Sequence, residues 1–176
     1  MPRQVAFLRA INVGGRTVTM SRLVELFEAL ELADISTVIA SGNVLFTSRS
    51  RPALLEKQID RHLEAELGYR AEAFVRTVPE LAAILVHQPF TAREVDGSHA
   101  LMIGFLRSAP TAAVVKAVQA LGGPLDKLRF DDRQLYWLRT ARESDPKLAG
   151  ALEKTLGQPM TVRNINTLRR IVEREK

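Results

Sequence analysis

A chain of 176 residues, 46% hydrophobic and 26% charged, can build one domain or two small ones, so it is not a disordered protein. It has no cysteine, which excludes disulfides, thiolate metal sites and cysteine catalysis. No apolar run approaches the ~20 residues that span a bilayer, and the N-terminus lacks a signal peptide's apolar region. We therefore predict a soluble, cytoplasmic protein with no membrane partner.

The net charge of +5 comes entirely from the second half of the chain. Residues 1–90 have equal numbers of basic and acidic side chains, whereas residues 91–176 have an excess of arginine and lysine. A basic half attracts polyanions or acidic small molecules. A solvated surface explains the same surplus, and we favour that simpler interpretation.

The first half alternates between strand and helix patterns. Apolar residues at helical spacing follow the N-cap candidate Thr19, and Gly68 stands where a helix should end. Two short β-rich runs are joined through a tight turn at 41–43. In chain order the predicted elements are a strand at 4–10, a helix at 20–32, strands at 36–40 and 43–48, a helix at 51–67, a strand at 72–76 and a helix from Thr77 to near Pro89.

The same order of elements recurs after residues 89–98, a polar stretch with proline and glycine that is typical of a linker. Gly122 and Gly157 mark helix ends, and Asp132 lies in a hairpin turn. The predicted elements are strands at 99–107, 125–130, 134–139 and 160–163, and helices at 111–121, 146–156 and 164–176.

The predicted elements of each half therefore follow the order βαββαβ, with one extra helix at the end. This order predicts an α+β protein of two ferredoxin-like (α/β-plait) domains, at 1–90 and 98–176. The duplication is supported by the order of elements and not by residue identity.

The predicted topology locates a candidate site in the first domain. With strands in the order 4-1-3-2, strands 1 and 2 point the same way, so the loop after strand 1 and the turn after strand 2 meet at one edge. Glycine amides close to a helix N-terminus, with an arginine late on strand 1, favour an anion. The predicted ligand-binding residues are Arg9, Asn12, Gly14, Gly15, Ser41, Gly42 and Asn43.

Structural alternatives compete with this hypothesis. A Gly-Gly pair before a helix often provides only backbone freedom, and Ser-Gly-Asn is an ordinary hairpin turn. Arg9 could instead form a structural ion pair with Glu or Asp between the two domains.

The segments FLRAINVGG, SGNVLF and TVRNINTL together resemble the uncharacterised bacterial family Domain of Unknown Function 1697. The resemblance implies two α/β-plait domains and no established activity. It adds Arg163 and Asn164 as candidate ligand-binding residues, with Asn164 as a helix N-cap being the structural alternative. Ala10 departs from the family pattern, where glycine is usual, and so does Ile165, where tryptophan is usual.

Recognisable catalytic patterns are missing, so the sequence leaves open whether the protein is an enzyme. His62, His87 and His99 lack partners at ligand spacing, and we predict no metal and no cofactor. The first function hypothesis is a small phosphorylated or carboxylated ligand at the glycine loop. The alternative is a nucleic-acid-binding module that uses the basic second half, with Phe130, Tyr136 and Trp137 among arginines. The oligomeric state is not predicted.

Overall fold

Two four-stranded antiparallel sheets organise the α+β fold of this chain in a computed structural model that describes residues 1–39 and 42–176. Contacts divide the chain into two units. Unit 1 comprises residues 1–84 and 171–176, and unit 2 comprises residues 85–170. In the described part of the chain, no helix has both the length and the apolar character needed to cross a membrane.

The sheet of unit 1 has the strand order that the sequence predicts. Neighbouring strands pair antiparallel in the order β2-β3-β1-β4. The elements are β1 (Arg3–Arg9), α1 (Met20–Glu28), β2 (Ala33–Thr37), β3 (Asn43–Thr47), α2 (Pro52–Leu67) and β4 (Glu72–Thr77), which leads directly into α3 (Val78–Val86).

Local capping sets the ends of these helices. The Thr19 hydroxyl accepts a hydrogen bond from the Arg22 amide at the start of α1, and Gly68 ends α2 in the left-handed conformation. Thr77 and Glu80 form the predicted capping box at the start of α3. The predicted α1 is four residues too long, because the backbone turns left-handed at Glu31.

Strand β2 begins and ends three residues earlier than predicted. Asp34 and Ile39 both have positive φ, 52° and 54°, and the pairing of β2 with β3 is irregular between Ala33 and Ser36. Aspartate tolerates this conformation, so the strand can start with a bulge in a polar stretch. At Ile39 the left-handed backbone stops the strand. The predicted last residue, Ala40, lies outside the described residues.

Alternation along β1 separates the two faces of its sheet. Ala6 and Leu8 belong to a buried apolar cluster that includes Leu23 and Phe27 of α1 and Ile59 of α2. Val5 and Phe7, which point the other way, are also fully buried. Both faces of the sheet are therefore covered around the middle of β1, and Arg9 continues the face away from α1 and α2.

Two carboxylates of α2 bond to the edge strand β4. Glu56 accepts a hydrogen bond from the Val75 amide at 2.9 Å, and Asp60 accepts one from the Ala73 amide at 2.8 Å. Residues four apart on a helix lie on one face, and residues two apart on a strand lie on one side. The two carboxylates can therefore reach the two amides together. Helix α2 thus satisfies edge amides that would otherwise invite another strand.

Unit 2 repeats the arrangement with strand order β6-β7-β5-β8, again antiparallel throughout. Its apolar cluster includes Leu106, Leu135, Leu152 and Met160. A short helix, α4 (Ala92–Asp96), precedes the sheet. The later elements are β5 (Ala100–Phe105), α5 (Ala112–Gln119), β6 (Asp126–Asp131), β7 (Gln134–Arg139), α6 (Leu148–Leu156), β8 (Thr161–Asn164) and α7 (Ile165–Arg174).

The stretch predicted as a linker contains the helix α4. Thr91 caps it, and Glu94 completes a capping box by accepting from the Thr91 amide at 2.8 Å. Glu94 also accepts a hydrogen bond from Lys127 of β6, at 2.8 Å. Proline and glycine at its ends made this stretch look like a loop, but the capping box and the lysine give the helix local support.

We expect stability to depend on Glu94 in acid. The Lys127 ammonium, and then the amide and hydroxyl of Thr91, lower the pKa of Glu94 from 4.5 to about 2. A carboxyl whose pKa is depressed on folding stabilises the native state above its unfolded pKa, and loses that contribution as pH falls through the folded pKa. Thermal melts should therefore find Glu94→Gln less stable than the parent at pH 6, with the gap closing between pH 4.5 and 2. A gap that does not depend on pH would contradict this assignment.

Candidate anion site

The end of β1 and the start of β3 meet at one edge of the unit 1 sheet, as the predicted topology requires. The Leu8 amide donates to the Gly42 carbonyl at 2.8 Å, and Phe7 lies opposite Asn43 in the ladder. The loop that follows β1 therefore starts beside the turn that precedes β3. Ser41, predicted to belong to this site, lies outside the described residues.

Gly14 and Gly15 form a tight turn within that loop. Both have positive φ, 62° and 77°, and the turn is closed by a hydrogen bond from the Arg16 amide to the Val13 carbonyl at 3.1 Å. Two successive positive φ angles favour glycine strongly. Both glycines are exposed, and neither amide donates to an acceptor within residues 1–39 and 42–176.

The glycines are not at the helix terminus itself. Helix α1 begins at Met20, and its N-cap Thr19 already accepts from Arg22. Any amide donors to an anion here are therefore loop amides rather than those of a helix end.

The two asparagines of the predicted site hold the loops in place. Asn12 accepts a hydrogen bond from the Val18 amide at 2.7 Å and so spans the glycine loop. Asn43 is buried and donates through its side chain to the Val38 carbonyl at 2.9 Å. Asn12 remains exposed to solvent, whereas Asn43 is almost fully buried.

Gly42 has a steric reason to be glycine. Its φ is 73°, and a Cβ atom there would lie 3.2 Å from both Leu8 Cβ and Ile11 Cγ2. This close approach lets β3 start directly against the end of β1. Its role in the structure is thus to permit the convergence of the two segments.

Arg9 lies at this edge beside an acidic residue of β4. Its Nε is 3.9 Å from Glu72 Oε2, and about a third of its side chain is exposed, 30% against 10% for Glu72. Arg70 approaches the other oxygen of the same carboxylate, Oε1, at 3.1 Å. Arg9 therefore has an ion-pair partner inside unit 1, and two guanidinium groups lie close to the carboxylate of that partner.

Tyr69 joins a further arginine to the same edge. Its hydroxyl donates to the Ile11 carbonyl at 2.7 Å, and the guanidinium carbon of Arg16 lies 4.5 Å from the ring centroid. This is a cation–π geometry that holds the exposed Arg16 over the ring. Arg9, Arg16 and Arg70 with Glu72 form what we call the arginine rim, three positive charges and one negative.

Three residues of this region were missed in the sequence: Tyr69, Arg70 and Glu72. The signal that could have found them is topological. In the predicted order, strand 4 runs antiparallel beside strand 1, so its first residues must lie next to the end of strand 1, and Glu72 is paired with Arg9.

Arg163 and Asn164 belong to unit 2, unlike the rest of the predicted site. Arg163 donates to the Thr161 hydroxyl at 2.9 Å, and burial lowers its pKa to about 10, so that it stays protonated at neutral pH. The Asn164 side chain accepts from the Asn166 amide at 2.9 Å, at the start of α7. This contact is the one expected of a helix N-cap, which was the structural alternative to a ligand-binding role for Asn164.

The aromatic residues of the predicted nucleic-acid patch are engaged inside unit 2. Tyr136 is fully buried, its ring centroid is 5.1 Å from that of His87, and burial raises the pKa of its hydroxyl. Trp137 donates its indole N–H to Asp126 at 2.7 Å. Phe130 and Trp137 both pack against the apolar cluster of the unit. Tyr136 therefore has no exposed ring surface, whereas Phe130 and Trp137 remain partly exposed.

Comparisons with known proteins support the fold and its family. The chain is similar in structure to the conserved bacterial protein SP0830 from Streptococcus pneumoniae, with a TM-score of 0.77 and 24% sequence identity over 99% of each chain. A search of curated proteins found no match. The profile of the family DUF1697, described as protein of unknown function, matches residues 1–136. This match covers well over half of the sequence, and the chain therefore belongs to the DUF1697 family.

Proposed function

We propose that the protein binds a small phosphorylated or carboxylated ligand at the arginine rim of unit 1. The observation that carries the proposal is the concentration of positive charge there, since Arg9 and Arg70 both lie beside the carboxylate of Glu72 and Arg16 lies over the ring of Tyr69. The exposed amides of Gly14 and Gly15 lie on the same loop as Arg16. Charge and unused donors together favour an oxyanion.

The three arginines would contribute differently to binding. Arg16 has no carboxylate partner among the residues described, and its guanidinium is already oriented by the Tyr69 ring. Arg70 is 75% exposed and can turn from Glu72 to a ligand. Arg9, which is more buried, would supply a charge of fixed position. Guanidinium groups bind phosphate and carboxylate oxygens in two-point fashion, which gives geometric selectivity as well as affinity.

We also infer that each unit is a ferredoxin-like domain. The alternation of elements and the strand orders β2-β3-β1-β4 and β6-β7-β5-β8 support this finer assignment. In such a fold the strands form a rigid scaffold, and the loops at the edge of the sheet tolerate changes of sequence. Loops of this kind often carry ligand-binding residues.

Calorimetric titration with inorganic phosphate, pyrophosphate and citrate tests the proposal. Arg16→Gln and Arg9→Gln should each weaken anion binding about tenfold or more, because each removes one charge-assisted contact. Arg49→Gln is the matched control, since Arg49 is also exposed but follows β3 at the opposite end of the sheet. It should change affinity less than about twofold.

Two outcomes would contradict the proposal. One is the absence of heat with all three anions. The other is an equal loss of affinity in Arg49→Gln and Arg16→Gln, which would mean that the anions respond only to net charge.

A further inference from the structure

A second feature, independent of the arginine rim, is a cleft of about 220 Å³ within unit 2. Its apolar lining includes Leu85, Phe90, Leu101 and Ile165, and its charged lining consists of Asp96 and Arg169. This volume lies below the usual range of about 300–1,000 Å³ for small-molecule pockets, which suits a ligand of only a few carbons. Phe90 and Ile165 are largely buried, so the floor of the cleft is already packed.

The two charged side chains of the cleft do not form an ion pair with each other. Arg169 donates to Asn166 at 2.7 Å, and the Asp96 carboxylate has no ion pair or hydrogen bond in the part of the chain that the structure describes. Opposite charges that line one cleft attract a partner that carries both signs. The ionised groups of such a ligand would each meet their complement, while its body would cover the apolar floor.

The wall that carries Asp96 is fixed by its own contacts. Asp96 ends α4, which is held by the Thr91–Glu94 capping box and by the bond from Glu94 to Lys127. Arg169 lies on α7, five residues after Asn164, and its bond to Asn166 limits its rotamers. The Arg169 side chain, which is already held by Asn166, would lose less conformational entropy on binding than a free one.

We propose that this cleft binds an α-amino acid with an aliphatic side chain. Arg169 takes the carboxylate, Asp96 takes the ammonium group, and the side chain lies against Leu101 and Ile165. The proposal concerns unit 2 alone and does not depend on anion binding at the arginine rim.

The test is an amide-resolved NMR titration of the full chain with L-leucine. Amides of residues 85–101 and 165–169 should shift. Two analogues separate the charges: 4-methylpentanoate lacks the ammonium group, and isoamylamine lacks the carboxylate. Each should bind at least about tenfold more weakly than L-leucine, because each loses one charged contact.

Variants link each charge to its residue. Arg169→Gln should weaken L-leucine about tenfold and leave isoamylamine unchanged, whereas Asp96→Asn should weaken L-leucine and leave 4-methylpentanoate unchanged. Ala92→Phe, which fills the cleft without altering charge, should also weaken L-leucine. Arg170→Gln is the control, since Arg170 is exposed, adjacent in sequence and outside the lining.

The proposal is overturned if L-leucine shifts no amide of the cleft, or if Arg170→Gln weakens binding as much as Arg169→Gln. Equal binding of L-leucine and both analogues would also overturn it. Because phosphate is absent from this titration, a negative result here says nothing about anion binding at the arginine rim. That binding is tested separately by calorimetry.

Discussion

Glu56→Leu is expected to destabilise the protein by about 3–5 kcal/mol, the range for breaking a buried ion pair. Glu56 is 3% exposed, and its Oε1 accepts from the Val75 amide and lies 3.8 Å from a guanidinium nitrogen of Arg76. Arg76 itself is fully buried. The substitution removes the carboxylate from both groups at once, and leucine offers neither charge nor acceptor.

Urea denaturation and hydrogen exchange at the Val75 amide together measure this effect. Lys57→Gln, on the exposed side of the same helix, should stay within about 0.5 kcal/mol of the parent. Combining Glu56→Leu with Arg76→Met should recover part of the loss, because two apolar side chains need no pairing. A loss from Glu56→Leu no larger than that from Lys57→Gln would refute the role of the pair.

Gly42→Ala is expected to cost about 2–4 kcal/mol, the sum of two separate penalties. An alanine at φ 73° is strained in the left-handed region. Its Cβ would also press against Leu8 and Ile11, each at 3.2 Å, in a buried part of the sheet edge.

Gly14→Ala measures the cost of backbone strain alone, without the steric contact. Gly14 has a similar φ of 62°, but a Cβ there meets no atom within 4 Å, so we expect only about 1–2 kcal/mol. Thermal or urea unfolding of the two variants gives the comparison directly. Equal costs would mean that the contact of Gly42 with Leu8 and Ile11 is easily relieved, and would weaken the structural explanation for that glycine.

Element order was readable from the sequence where the signals were local. Thr19, Gly68 and the Thr77–Glu80 box each act within one helical turn, so their residue types alone locate the helix ends. The same locality explains the errors. Strand β2 depends on the backbone at Asp34 and Ile39, and α4 combines a local capping box with a bond to the distant Lys127.

The sequence was less informative about buried charge. Glu56 lies beside the apolar stripe of α2 and resembles a surface residue in the pattern. Its burial follows from the edge amides of β4, which need acceptors, and a helical pattern does not include them.

By itself the sequence determined the succession of strands and helices, the family, and the meeting of the β1 loop with the start of β3, since antiparallel order fixes which chain ends are neighbours. Only the tertiary structure decided what lies at that edge: Glu72 beside Arg9, Arg70 on the same carboxylate, and Tyr69 under Arg16. It also brought Asp96 and Arg169 to one cleft. The physical reason is that patterns along the chain encode local geometry, whereas a binding site depends on side chains distant in sequence and on how their charges balance.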